Sequence, residues 1–210
     1  MIQLLIVDDH PVVRQGLKQI LAEAADVVVG DTATNGAEAI AKCEHRQWDA
    51  VLLDLAMPGS DGLEVLKQLR RDNPFLPILV LSMYPEDQFA LRAIRAGASG
   101  YLTKDSAPDQ LVTAIRRVVD GGRYLSPWLS DRLAREVASG APASPHEQLS
   151  DREYQVMLRI ASGKSTKQIA EELSLSGKTV GTYRLRLSQK IGLSTDAELT
   201  AYVFRNRLLE

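Results

Sequence analysis

Five short apolar runs alternate with helix-length amphipathic stretches through the first part of this chain, and that alternation fixes the class of fold open to it. The runs are Ile2 to Val7, Val27 to Gly30, Ala50 to Leu53, Ile78 to Leu81 and Ser99 to Leu102, each rich in Val, Ile or Leu. Continuous hydrophobicity is the mark of strands buried on both faces. Such strands form parallel sheets joined by crossover helices, for which Gly62 to Arg71 and Pro108 to Val119 are suited. In an open sheet of this kind ligands bind beyond the carboxyl ends of the strands. Asp8 and Asp9, Asp54, Ser82 and Lys104 each stand at or just past the end of one run. Three carboxylates, a hydroxyl and an ammonium are therefore predicted to meet at one end of one sheet.

Three carboxylates ionised together in a desolvated pocket would raise one another's pKa. A hard divalent cation removes the conflict: Mg²⁺ takes oxygen ligands in an octahedron and is commonly held by one or two carboxylates plus a phosphate oxygen. A cation and an ammonium converging on one carboxylate suit phosphoryl transfer to that carboxylate, because such chemistry is mostly positioning and charge neutralisation. Asp54 is then the nucleophile, Asp8 and Asp9 complete the metal shell, and Lys104 clamps the phosphoryl oxygens. One acidic residue after a strand is more often a helix cap than a ligand; the full set in order is far more specific.

At 210 residues the chain suits one or two domains, each with a core of its own. No apolar run approaches the roughly 18 residues a membrane span needs, and the amino terminus enters a strand without a basic region or cleavage site. A cytoplasmic protein with no membrane partner is expected. The lone Cys43 reads as a half-buried helical thiol, not a redox or metal group. The net charge of −2 hides a division between the two ends. Met1 to Leu125 carries 13 Lys plus Arg against 17 Asp plus Glu, whereas His146 to Glu210 carries 10 against 8. Lys178, Arg184, Arg186 and Lys190 fall within Ser176 to Lys190, a stretch with no acid. Basic charge gathered on one element is how a nucleic-acid contact surface reads.

Gly121-Gly122 stops the last helix of the alternating part. Ser126 to Val137 reads as a further helix, with Leu129, Leu133 and Val137 at a spacing of four, and Ser139 to Pro145 as a linker by composition. The organisation expected is a first domain over 1–122, a helix and flexible linker over 123–146, and a helical domain over 147–210. Ser150-Asp151-Arg152-Glu153 is a capping box with Leu149 and Tyr154 as its hydrophobic staple, and Thr195-Asp196-Ala197-Glu198 opens a last helix. Two helices around Ser174-Leu175-Ser176 match a helix-turn-helix, whose second helix enters the major groove of double-stranded DNA. At helical spacing Val180, Tyr183, Leu187 and Ile191 form a packing stripe, while Lys178, Thr182, Leu185, Arg186 and Gln189 form one that can face DNA. Thr179, Lys190 and, on the preceding helix, Lys167 join them as candidate contacts. Arg184 suits a phosphate contact and an intramolecular ion pair equally. Gly163-Lys164-Ser165 and Gly177-Lys178-Thr179 do not make phosphate-cradling loops, since Leu158 and Glu172 occupy the positions of the required earlier glycine.

Residues 1–122 resemble the receiver domain of two-component response regulators. The resemblance rests on Leu-Leu-Ile-Val-Asp8-Asp9-His10, Val-Leu-Leu-Asp54-Leu-Ala-Met57-Pro58-Gly59, Leu-Ser82 and Gly100-Tyr101-Leu-Thr-Lys104. It implies a flavodoxin-like, doubly wound sheet of five parallel strands in the order 2-1-3-4-5, with a phosphoryl group passed from a sensor histidine kinase to Asp54. It also implies that the Ala56 carbonyl ligates Mg²⁺, that Ser82 turns inward to bond the phosphoryl group and that Tyr101 changes rotamer with it. Asp105 follows Lys104 where many receivers have Pro, which leaves the isomer of that peptide bond open.

Residues 147–210 resemble the LuxR-type effector domain, a four-helix helix-turn-helix unit. Leu149-Ser150-Asp151-Arg152-Glu153, Ile169-Ala170-Glu171-Glu172-Leu173 and Ser176-Gly177-Lys178-Thr179-Val180 carry this likeness. Together the two parts resemble a NarL/FixJ-type response regulator. That family implies a phosphorylation-controlled, sequence-specific transcription factor that forms a homodimer on phosphorylation and is not an enzyme. Gly181 departs from the pattern, since relatives commonly place a base-contacting polar residue there; readout at that point must come from neighbours or from backbone proximity.

Other readings fit parts of the pattern. Aspartate-nucleophile phosphohydrolases also use Asp, Lys and Mg²⁺ on a parallel sheet, but they usually carry a second Asp where this chain has Ala56. A receiver-like module that never accepts phosphate would not need all of Asp8, Asp9, Asp54, Ser82 and Lys104. Ala56 and Tyr84 are the positions expected to govern a hydrolytic water, with the Tyr84 ring either swung over the pocket or pointing to solvent. Tyr202, Val203 and Phe204 supply apolar area for a partner protomer.

Overall fold

Each of the five apolar runs becomes a parallel strand in a computed structural model of the chain, which describes residues 1–57, 61–139, 144–206 and 208–209. The strands are β1 (Ile2–Val7), β2 (Val27–Ala33), β3 (Ala50–Leu53), β4 (Ile78–Ser82) and β5 (Gly100–Thr103), paired in the order β2-β1-β3-β4-β5. This is the flavodoxin-like sheet expected. Its strand order reverses between β1 and β3, which opens a crevice at their carboxyl ends. The helices are α1 (Pro11–Ala22), α2 (Gly36–His45), α3 (Gly62–Asp72), α4 (Glu86–Arg95), α5 (Ala107–Val119) and α6 (Pro127–Ser139).

Leu4, Ile6, Leu52, Leu79 and Leu81 join Leu17 and Leu21 of α1 and Leu111 and Ile115 of α5 in one core cluster. The opposite parity, Leu5, Val7, Val51, Leu53 and Val80, is buried as fully, so both faces of the central strands are covered. Gly62 at the start of α3 lets the helix close on β3's exit: a Cβ there would lie 2.5 Å from Leu55 Cα. β2 departs from the expectation. It continues through Asp31, Thr32 and Ala33, and Val28 and Asp31 face solvent because it is the outermost strand. Helix α6 belongs to the first of two units, Met1–Ser139, where Leu129 is fully buried and Glu136 pairs with Arg95 of α4. Val137 is exposed, so the apolar stripe of α6 is used at its start and not at its end.

The second unit, Gly140–Glu210, is helical. A single 3-10 turn, Pro145–Gln148, precedes α7 (Asp151–Ala161), α8 (Thr166–Glu172), α9 (Gly177–Ile191) and α10 (Asp196–Arg205). That turn takes up the end of the predicted linker; residues 140–143 of the linker, like Pro58 and Gly59, lie outside the described residues. Ser150 Oγ accepts from Glu153 N while Glu153 Oε2 accepts from Ser150 N at 2.8 Å, and Ser165 with Gln168 and Thr195 with Glu198 repeat the exchange. Each hydroxyl cap contributes about 1 kcal/mol. Gly192 ends α9 at φ 77°, where a side chain would be strained. Leu149, Tyr154, Met157, Ile169, Val180, Leu187, Leu199 and Val203 are buried where the helices' inner faces meet. Among the described residues no helix is long and apolar enough to cross a membrane.

Candidate functional site

Asp8 and Asp9 follow β1, Asp54 follows β3, Ser82 ends β4 and Lys104 follows β5. The sheet's hydrogen bonding runs on past the strand ends and fixes these positions: Asp54 N donates to Val7 O and Lys104 N to Ser82 O, both at 2.9 Å. Lys104 Nζ lies 2.7 Å from Asp54 Oδ2 and 2.7 Å from Asp8 Oδ2. Both carboxylates are 1% exposed and Ser82 is fully buried, so this is a dry cluster with more negative than positive groups. Burial pushes the Asp54 carboxyl above the ordinary carboxylate range, opposed by the Lys104 ammonium and by the Ala56 N–H, which donates to Asp54 Oδ1 at 3.0 Å. Burial works against the charge of Lys104, yet Asp54 and Asp8 outweigh it and hold that ammonium above its usual pKa.

One ligand atom from each of Asp8, Asp9, His10 and Asp54 lies within 4.8 Å of the others. Asp9 Oδ1 is buried and accepts no hydrogen bond; its near neighbour is His10 Nδ1 at 2.9 Å. Clustered carboxylate oxygens that a single ammonium cannot neutralise fit a hard, oxygen-seeking divalent cation. His10 is an addition to the predicted set. It caps the approach to α1, its backbone N–H donating to Asp8 Oδ1 at 2.8 Å, and its ring suits holding Asp9 better than ligating so hard an ion.

The loop after β4 ties the pocket to β5. Tyr84 N donates to Ser82 Oγ at 3.2 Å, and the buried Tyr101 donates its hydroxyl to Tyr84 O at 2.8 Å. The Tyr84 ring stacks on Phe89 of α4, centroids 4.4 Å apart, a partner that neither expected orientation supplied. Ala56 is half-buried, and the Lys104–Asp105 peptide bond is trans.

On α9, Val180 and Leu187 are buried and Tyr183 and Ile191 half-buried. Lys178, Gly181, Thr182, Leu185, Arg186 and Gln189 are exposed along the opposite face, with Thr179 half-buried beside them and Lys167 exposed on α8. Arg184 pairs with Asp196 at 2.5 Å, which is the intramolecular alternative. Lys190, grouped by sequence with the DNA contacts, reaches the buried Glu153 at 2.6 Å, and Arg159 and Lys164 share Glu172. Lys167, Lys178 and Arg186 have no acidic partner among the described residues.

Residues 4–116 match the response regulator receiver domain, and residues 147–203 match the luxR family of bacterial regulatory proteins. The chain is 37% identical over 209 residues to the response regulator UvrY of Escherichia coli strain K12, covering 99% of this chain and 96% of that protein. It is 38% identical over 210 residues to the response regulator GacA of Pseudomonas protegens, covering 100% of this chain and 99% of the relative. RcsB from Salmonella enterica serovar Typhimurium, solved bound to the promoter P1flhDC in the presence of phosphomimetic BeF3-, superposes with a TM-score of 0.59 at 26% identity, over 96% of this chain and 97% of that one. These likenesses span both units in one order, which leaves no place for the phosphohydrolase reading. The chain belongs to the two-component response regulators that join a receiver domain to a LuxR-type DNA-binding domain, a family of transcription regulators and not of enzymes.

Proposed function

We propose that Asp54 accepts a phosphoryl group from a sensor histidine kinase, and that the chain then binds chosen sites on double-stranded DNA as a homodimer in the cytoplasm. The observation that carries this reading is Lys104 Nζ at 2.7 Å from both Asp54 Oδ2 and Asp8 Oδ2 in a dry pocket. Lys104 keeps Asp54 ionised against its burial, and so nucleophilic; once the phosphoryl group is attached, the same ammonium is within reach of its oxygens. Asp8, Asp9 and Asp54, with the Ala56 carbonyl, would hold Mg²⁺, which when bound neutralises charge on the phosphoryl oxygens. Ser82 Oγ accepts from Tyr84 N and keeps its own O–H, which donates a hydrogen bond to a phosphoryl oxygen. That movement draws on the loop whose carbonyl holds Tyr101, so the hydroxyl of Tyr101 is released and its rotamer follows.

Residues 1–122 act as the receiver, 123–146 connect, and 147–210 bind DNA, with α9 in the major groove. Lys178, Thr179, Thr182, Leu185, Arg186 and Gln189 face the duplex together with Lys167, whereas the sequence-expected contact Lys190 is engaged by Glu153. RcsB has been solved as two dimers bound to two parallel DNAs and, separately, bound to a promoter, which supports DNA binding and pairing for this chain. Intact mass after treatment with acetyl phosphate and Mg²⁺ tests the assignment. One phosphoryl group is expected on the parent and none on Asp54→Ala; a label persisting in that variant overturns it. Sedimentation with and without beryllofluoride tests pairing, and identical monomer-dimer constants would remove it.

A further inference from the structure

The exposed face of α9 holds a residue that its own fold does not explain. Gly181 sits in mid-helix without a positive φ, and a Cβ built on it meets nothing within 4 Å. It therefore serves neither a left-handed turn nor a close contact within the chain, while it weakens the helix relative to Ala. One turn further on, Leu185 is 61% exposed. Thr182 between them donates its hydroxyl proton to Lys178 O at 3.1 Å, so outward it offers a methyl and an acceptor but no donor. The middle of this face is thus a strip without hydrogen-bond donors, rimmed by Lys178, Arg186 and Gln189. No acid occurs from Ser176 to Lys190, and neither Lys178 nor Arg186 has an acidic partner among the described residues.

Unspent cations around a donor-free strip complement the major groove of DNA, where phosphates line the edges and the apolar feature on the base edges is the C5-methyl group of thymine. We propose that Gly181 and Leu185 form a notch that reads thymine methyl groups, the glycine letting the helix axis approach the groove floor more closely than a side chain would permit. This rests on the reading of α9 as the groove-entering helix, and it makes these two residues determinants of sequence preference.

The test uses the full chain activated with beryllofluoride. Preferred duplexes are selected from a random pool, and each thymine is then replaced singly by deoxyuracil, which removes the methyl group and leaves base pairing intact. Affinity is expected to fall about fourfold at one or two positions, the factor for a buried methyl. In Leu185→Ala at least one of those positions should no longer respond. Gly181→Ala should melt at or above the parent's temperature, yet lose severalfold more affinity for the preferred duplex than for random-sequence DNA. A protein that prefers certain duplexes but ignores every deoxyuracil overturns the notch alone. So does Gly181→Ala with undiminished preference. A protein that prefers no duplex at all overturns the groove reading and the notch with it.

Discussion

Replacing Lys104 by methionine keeps the length of the side chain and removes the ammonium that pairs with both Asp8 and Asp54. At 2.7 Å each of its two contacts amounts to about 6 kcal/mol by Coulomb's law with an effective dielectric near 20, most of which the burial of the ammonium offsets. What remains visible is the cost of leaving Asp8 and Asp54 buried without the ammonium that neutralises them, roughly 3–5 kcal/mol for a broken buried pair. For a unit of this size that corresponds to roughly 10–15 °C in melting temperature. The loss should depend on pH in a definite direction. Burial already raises Asp54 above 3.8, and Lys104 opposes that rise, so the variant's Asp54 titrates higher still. Below the unfolded value both states are protonated and no penalty exists; it enters as pH rises toward the folded value and is complete above it. The deficit of Lys104→Met is therefore expected to be full at pH 8 and smaller at pH 5, and Mg²⁺ should stabilise the variant more than the parent. Urea unfolding followed by tryptophan fluorescence reads the right unit, since Trp48 and Trp128 both lie in the first. A variant as stable as the parent at pH 8 without Mg²⁺, or a deficit that grows on acidification, would show that Lys104 does not neutralise this pocket.

Burial pushes the Cys43 thiol up to about 11, so native protein at pH 8 should react with a thiol reagent far more slowly than unfolded protein; equal rates would contradict its burial. Lys178→Ala and Arg186→Ala should weaken DNA binding while leaving uptake of phosphate at Asp54 intact. A phosphate contact would lower the salt slope by roughly one, a base contact would instead cost about 1–3 kcal/mol of discrimination, and neither effect in either variant would refute the orientation of α9. Ala56 has no side-chain group to hold a water, so Ala56→Asn should shorten the lifetime of the aspartyl phosphate. Equal or slower decay, followed by loss of the phosphoryl mass, would show that lifetime is set elsewhere.

The pocket was legible because its residues sit at the ends of continuous apolar runs, and the sheet order converts those ends into neighbours. β2 was legible only in part: an edge strand admits Asp31 and Thr32, so hydrophobicity stops before the strand does. His10 carries no pattern of its own, and its role follows from cap geometry at α1 that spacing alone does not encode. The stack of Tyr84 on Phe89 likewise depends on how the β4 loop meets α4. In the second unit the two stripes of α9 were readable from period alone, whereas the choice of Arg184 for Asp196 and of Lys190 for Glu153 required knowing which helices adjoin. Ser165-Thr166-Lys167-Gln168 carries the capping-box pattern as plainly as the Ser150 box, and the structure uses both.

The seat of α6 on α4 decides where this protein can be divided. A fragment ending at Gly122, where the glycine pair invites a cut, would strip Leu129 from the surface it covers and take Glu136 away from Arg95. The bared apolar seat would then be a site for self-association created by the cut itself. A fragment carried through Ser139 keeps the helix in place, and measurements on that longer piece can be compared with the intact regulator without the artefact of a newly made surface.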